Sequence, residues 1–329
     1  MTEKVLEVKN LKTYFRTMEG TVKAVDGVSF DLYEGEILAL VGESGCGKSI
    51  TNMTIMGLVK SPPAIIEGEI LYNGKNILEL SKEDYRKLRG KEIGMIFQEP
   101  MSAFDPLYTI GYQLFEVCKT HLGLNKKDAK PKIIEMLKKV GIPEPEKRFD
   151  EYPHEMSGGM LQRIMIAMTL ITNPKILIAD EPTTALDVTI QAQVLNLMKN
   201  LQKEFNTSII FITHDLGVVS ELADRVHVMY AGKIIEKSDV YGIYETPEHP
   251  YTKGLLASRV IKEYKGRELP HIPGFVPKAT NFPDGCRFAE RCSFCTEKCQ
   301  KVSPELIKTS EIHETACFLY GEDTNEKDN

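Results

Sequence analysis

Ile37-Leu38-Ala39-Leu40-Val41-Gly42-Glu43-Ser44-Gly45-Cys46-Gly47-Lys48-Ser49-Ile50 is the stretch that decides the fold. Its first five residues are apolar without interruption, the pattern of a strand buried on both faces in a parallel sheet. The glycine-rich turn has the spacing G-x-x-x-x-G-K-S and runs straight into a helical stretch, Ser49–Met56. Strand, turn and helix in that order make a phosphate cradle. The glycines let successive N–H groups and the helix N-terminus face an anion, Lys48 reaches the outer phosphates, and the Ser49 hydroxyl suits Mg²⁺. Gly42, Ser44, Gly45, Cys46, Gly47, Lys48, Ser49 and Ile50 are therefore the candidate contacts to a phosphate chain.

Strand character recurs at Leu6–Lys12, Val25–Leu32, Glu69–Tyr72, Ile93–Phe97, Ile176–Ala179, Ser208–Thr213, Arg225–Tyr230 and Lys233–Glu236. Between strands the period becomes helical: Val194, Leu197, Met198 and Leu201 put one apolar stripe on Thr189–Phe205. Strands alternating with helices predict a layered α/β core. From about Pro100 to Thr172 the strand signals stop and helices over Ile110–His121 and Asp128–Val140 dominate, the latter closed by Gly141 with Pro143 beyond, so a helical insertion is expected. After about Ser238 the chain turns proline-rich and leads into a cluster of cysteines.

The 329 residues are 42% hydrophobic and 27% charged, which describes a soluble globular chain of roughly two domains. Apolar runs such as Ile37–Val41 and Ile164–Met168 stop at five residues, short of the roughly 18 that cross a bilayer. The charged N-terminus, Met1 to Glu7, has no apolar core of a secretory signal, so a cytoplasmic chain is expected. With 41 basic against 47 acidic residues the net charge is −6, which argues against a general nucleic-acid binder.

Two further motifs add to the phosphate cradle. Ile176-Leu177-Ile178-Ala179-Asp180-Glu181 is an apolar strand ending in two carboxylates; Asp180 suits Mg²⁺ and Glu181 suits polarising a water. Met156-Ser157-Gly158-Gly159-Met160-Leu161-Gln162-Arg163 offers a hydroxyl and exposed N–H groups at a helix start, a second anion site. This motif resembles the signature of ATP-binding cassette (ABC) proteins, and the remaining family positions fall into line with it. Gln98 resembles the Q-loop glutamine that touches Mg²⁺ or water, Ala185-Leu186-Asp187 the D-loop, and His214 the switch histidine. Tyr14 or Phe15 resembles the aromatic residue that stacks on adenine. Two departures stand out: Met160 replaces the more usual Gln, and Thr184 the usual Ser of the D-loop.

The resemblance implies an α/β P-loop NTPase of the ABC cassette type: a mixed sheet core, an antiparallel β subdomain, a helical insertion and a small Cys-rich C-terminal module. The nucleotide-binding domain would span 1–238, with its helical subdomain at about 100–172, and the extension 239–329. ATP and Mg²⁺ are the implied ligands. Lys48, Gln98, Glu181 and His214 are the implied catalytic set. Ser157, Gly158, Gly159 and Asp187 would serve the ATP held by a second cassette.

Beyond the cassette, Thr246-Pro247-Glu248-His249-Pro250-Tyr251-Thr252, Ile272-Pro273-Gly274 and Gly285-Cys286-Arg287-Phe288 resemble the extension of oligopeptide and dipeptide importer ATPases. Five of the seven cysteines lie here, spaced Cys286-x5-Cys292-x6-Cys299-x17-Cys317 with Cys295 between. Clustered cysteines in a cytosolic chain point to a metal rather than to disulfides, and four thiolates accept either Zn²⁺ or a 4Fe–4S cluster. The branch resemblance implies a 4Fe–4S cluster on Cys286, Cys292, Cys299 and Cys317, with Cys295 spare. Arg287, Arg291 and Lys298 are expected as a solvated rim or as donors to cluster sulfurs.

The implied function is ATP hydrolysis that powers import of small peptides. The implied partners are two transmembrane permeases, a sibling or identical ATPase, and indirectly an extracytoplasmic peptide-binding protein, with the chain peripheral on the cytoplasmic face of the cell membrane. A nickel or other small-solute cargo, or a soluble cassette acting on nucleic acid or ribosomes, are the alternatives; the missing basic surface speaks against the latter.

Overall fold

The computed structural model describes residues 3–184, 186–258 and 270–320. They form two compact units, each drawn from separated stretches of chain. One gathers Met1–Val5, Leu32–Glu36 and Glu79–Ile212; the other gathers Leu6–Asp31, Ile37–Leu78 and Thr213–Asn329.

In the first unit, strand Ile176–Asp180 lies between Ile93–Ile96 and Ser208–Thr213, parallel to both. Nearly every residue of these strands is isoleucine, leucine, alanine or another small or apolar type, and all are buried. That explains why the sequence shows continuous apolar runs here rather than alternation. No strand lies between Ile96 and Ile176 among the described residues; helices Ile110–Leu122, Lys126–Lys139 and Gly158–Leu170 occupy the interval. Helix Lys126–Lys139 begins two residues before the apolar spacing predicts, because the Asn125 side chain accepts from the N–H groups of Lys127 and Asp128. Helix Gly158–Leu170 likewise starts at a glycine pair, because Ser157 caps it.

The second unit carries strand Ile37–Val41 parallel to Arg225–Tyr230, with Val41 opposite Val228. Antiparallel strands Lys233–Asp239, Glu314–Thr315 and Ile307–Lys308 extend that sheet, so it is mixed. A second, antiparallel sheet has the order Gly20–Tyr33, Lys4–Thr17, Ala64–Tyr72, Lys75–Asn76. Its first two strands outrun the expectation because their polar ends show no alternation, yet a turn at Met18-Glu19 joins them and the Thr17 hydroxyl donates to the Gly20 carbonyl at 2.7 Å. The core of this unit packs Val41, Val228, Tyr230 and Ile243 with Tyr251, Phe288 and Ala316. The cysteine-bearing segment therefore contributes to the same core as the phosphate-loop strand. No helix among the described residues is long and apolar enough to cross a membrane.

Candidate functional site

The phosphate loop sits between strand Ile37–Val41 and helix Lys48–Ile55. Two of its glycines are required by close approach: a Cβ on Gly42 would stand 2.2 Å from the Met229 carbonyl, and one on Gly47 2.4 Å from that of Ala24. Lys48 is buried, and its ammonium donates to the carbonyls of Gly42 at 2.7 Å and Glu43 at 3.1 Å. An arriving phosphate offers the same cation fully charged acceptors. Ser49 and Ile50 are half-buried in the first turn of the helix. Burial pushes the Cys46 thiol up, opposed by Lys48, so this cysteine is a small packing residue rather than a reactive thiolate.

In the same unit Tyr14 and Phe15 follow one another on strand Lys4–Thr17, opposite Ile65 and Ala64. The Tyr14 hydroxyl donates to one oxygen of Asp26, and Arg287 donates to the other. Burial opposes ionisation of Asp26, yet the Tyr14 and Arg287 hydrogen bonds hold its carboxyl below the usual range. Burial, then Asp26, pushes the Tyr14 hydroxyl up. His214 is exposed directly after strand Ser208–Thr213, just before Asp215, which caps helix Leu216–Leu222.

The first unit brings Gln98 and Glu181 together: the Gln98 amide donates to the Glu181 carboxylate at 3.1 Å. Thr184, noted in the sequence only as a departure, donates its hydroxyl to the same oxygen at 2.9 Å. Glu181 has the left-handed backbone, φ +47°, held by its N–H donating to the Ile212 carbonyl. Asp180 is buried at the end of its strand. The Ser157 hydroxyl accepts from the Met160 N–H at 3.3 Å, which leaves its own hydrogen to donate outward. Asp187 caps helix Val188–Phe205 through Ile190. Ala185, expected in the same loop, lies outside the described residues.

Cys286, Cys292, Cys299 and Cys317 line one cavity of about 160 Å³ with Phe288, Phe294 and Phe318; Cys295 is not part of its wall. Burial first, and then the neighbouring cysteines, pushes the thiols of Cys286, Cys292 and Cys317 up, that of Cys286 to about 11. No group of three or more His, Cys, Asp or Glu side chains is arranged to hold a metal ion among the described residues. A tetrahedral zinc site needs all four sulfurs at about 2.3 Å from one point.

Arg287 and Arg291 do not form the solvated rim expected of them. Arg287 pairs with Asp26 and also donates to the Ala231 carbonyl. The Arg291 side chain is 5% exposed and forms a two-point ion pair with Glu43 of the phosphate loop, at 2.8 and 3.1 Å. Tyr251 reaches the same residue, accepting from the Glu43 backbone N–H at 2.9 Å. Nothing in local spacing signals the contacts to Asp26 and Glu43, which join residues some 208 to 261 positions apart.

The family model described as "ABC transporter" matches residues 25–184, and that described as "Oligopeptide/dipeptide transporter, C-terminal region" matches residues 235–299. The oligopeptide transport ATP-binding protein AppD of Bacillus subtilis is 51% identical over 98% of this chain and 99% of its own length. The dipeptide transport ATP-binding protein DppD of the same organism is 52% identical over 96% of this chain and 95% of its own. Among solved structures, the dimeric bacterial ABC transporter cassette MJ0796 matches with a TM-score of 0.64 and 26% identity, covering 71% of this chain and 98% of that one.

Proposed function

The chain belongs to the ABC transporter family, in its oligopeptide and dipeptide branch, and from that premise we propose that it is the ATP-hydrolysing subunit that powers peptide import, with its labour divided as follows. The phosphate loop binds the ATP phosphates, Lys48 and His214 balance charge on the phosphoryl group in transfer, and Tyr14 or Phe15 stacks on adenine. Ser49, Asp180 and Gln98 would hold Mg²⁺, which neutralises phosphate charge when bound. Glu181 orients or deprotonates the attacking water. Ser157, Gly158, Gly159 and Asp187 serve the nucleotide of a second cassette, so the working unit is a pair of cassettes beneath two permeases at the cytoplasmic face of the membrane, supplied from outside by a peptide-binding protein.

The observation that carries this reading is the phosphate loop, whose Gly42 and Gly47 admit no Cβ and whose buried Lys48 lies among its own carbonyls. The hydrogen bond from Gln98 and that from Thr184 support Glu181 as the base, because together they fix the carboxylate without neutralising it. Glu181→Gln is expected to bind ATP with wild-type affinity while turnover falls at least 100-fold, on the scale of a lost general base. Unchanged hydrolysis in a steady-state assay would remove Glu181 from this role.

The four cysteines are proposed to hold a 4Fe–4S cluster. The donor set fits: four soft sulfur ligands line one aromatic-walled cavity. When bound, the cluster supplies iron charge to four thiolates and ties four points of the chain together.

A further inference from the structure

Arg291 immediately precedes Cys292, yet its guanidinium is turned away from the sulfurs and into the phosphate loop. All of its donors are engaged. Nε donates to the Pro273 carbonyl at 2.8 Å, Nη1 to Glu43 at 2.8 Å and to the Tyr230 hydroxyl at 3.3 Å, and Nη2 to Glu43 at 3.1 Å and the Ile272 carbonyl at 3.4 Å. The guanidinium also lies near the rings of Tyr230 and Phe288. Gly274 leaves room for its stem, since a Cβ there would stand 3.3 Å from the Arg291 Cγ. Planar two-point pairing of this kind fixes direction as well as distance. Its partner Glu43 is the first residue after Gly42 in the loop, and the Glu43 N–H is occupied by Tyr251 of the same C-terminal region. Arg287, which follows Cys286, makes the parallel connection through Asp26 to Tyr14. The two residues flanking the first two cysteines thus grip the phosphate loop and the candidate adenine-stacking strand.

We propose that Arg291 is a positioning residue for nucleotide binding: through Glu43 it fixes the phosphate loop to the cysteine-bearing segment, so that the order of that segment sets the loop's affinity for ATP. This rests on Gly42–Ser49 being the ATP site. By linkage the coupling is reciprocal, and ATP stabilises the segment by the same factor that the segment favours ATP.

The test is equilibrium binding of Mg-ATP to the full chain by titration calorimetry, with the melting temperature of each nucleotide-free variant measured beside it. Arg291→Met and Glu43→Gln are each expected to weaken binding about tenfold, within the 5- to 150-fold range of such couplings. The double variant should bind no more weakly than either single one, because both changes remove one contact. Arg291→Lys should recover part of the loss. A purely structural Arg291 would lower the melting temperature and leave the dissociation constant alone, and that result overturns the proposal, as do losses that multiply in the double variant. If Arg291→Met fails to fold, Glu43→Gln breaks the same ion pair from the loop side and decides the question in its place. Lys48→Ala separates the two levels: its loss of binding beside unaffected Arg291 and Glu43 variants refutes the positioning role alone, whereas its wild-type binding refutes the ATP site and the proposal with it.

Discussion

Gly42, Gly45 and Gly47 belong to one motif but carry different physical loads. A Cβ on Gly42 or Gly47 meets main-chain carbonyls at 2.2 and 2.4 Å, whereas one on Gly45 meets nothing within 4 Å. Gly45→Ala therefore faces only the left-handed backbone penalty of about 1–2 kcal/mol, while Gly42→Ala and Gly47→Ala add overpacking of about 1–3 kcal/mol. Urea unfolding should rank Gly45→Ala well above both in stability; equal losses at the three positions would remove close approach as the reason for the glycines. Glu181 shows the opposite use of the same backbone region, where a non-glycine residue at φ +47° stores about 1–3 kcal/mol. Strain kept at a carboxylate with two side-chain donors is consistent with a residue selected for placement rather than for stability.

Among the elements, strand Lys233–Asp239 is pinned by one buried carboxylate. Glu236 accepts from the N–H groups of Glu248 and His249 at 2.6 and 3.1 Å and contacts His313 Nε2 at 2.8 Å, just before strand Glu314–Thr315. Burial works against the charge on both partners. Even so, the His313 bond and the backbone donors keep Glu236 below the usual carboxylate range, and Glu236 with Glu248 raises His313 above its ordinary value. The raised histidine contributes stability that is complete below its unfolded value of about 6.5 and is lost as pH rises through the higher folded value. The depressed carboxylate contributes above its unfolded value of about 4.3, and that part is lost as pH falls through the lower folded value. The stability gap between wild type and His313→Gln should therefore be widest between those two limits, about 1.5–3 kcal/mol for a charged hydrogen bond, and narrow toward pH 9. A gap that is flat or widens with pH in urea titrations would contradict a protonated His313. His249 is a separate case: burial drops it to about 4, so it stays neutral and accepts from the Tyr251 N–H.

For the molecule as a whole, neither compact unit is a continuous piece of chain. The cysteine-bearing segment belongs to the unit that holds the phosphate loop, and Phe288 and Ala316 lie in its core beside Val41 and Tyr230. Chain purified without oxygen is expected to carry about four iron and four acid-labile sulfide per molecule; one zinc and no chromophore would make the segment a zinc staple and leave the ATPase function untouched. Loss of the metal should lower the melting temperature, because a group bound only by the folded state stabilises it by mass action.

Local spacing in the sequence was enough to determine the buried strands Ile37–Val41 and Ser208–Thr213, the helix after the phosphate loop, the helical stretch between Ile96 and Ile176 and the family to which the chain belongs. These depend on residues within one or two turns of each other, where periodicity and motif carry the information. Tertiary structure alone decided that Arg287 and Arg291 are spent on Asp26 and Glu43 rather than on water or sulfur, and that Glu236 is a buried anion. A charged side chain looks alike in sequence whether solvated or buried. Which it becomes is set by partners that can lie hundreds of residues away along the chain, and only folding brings them within hydrogen-bonding distance.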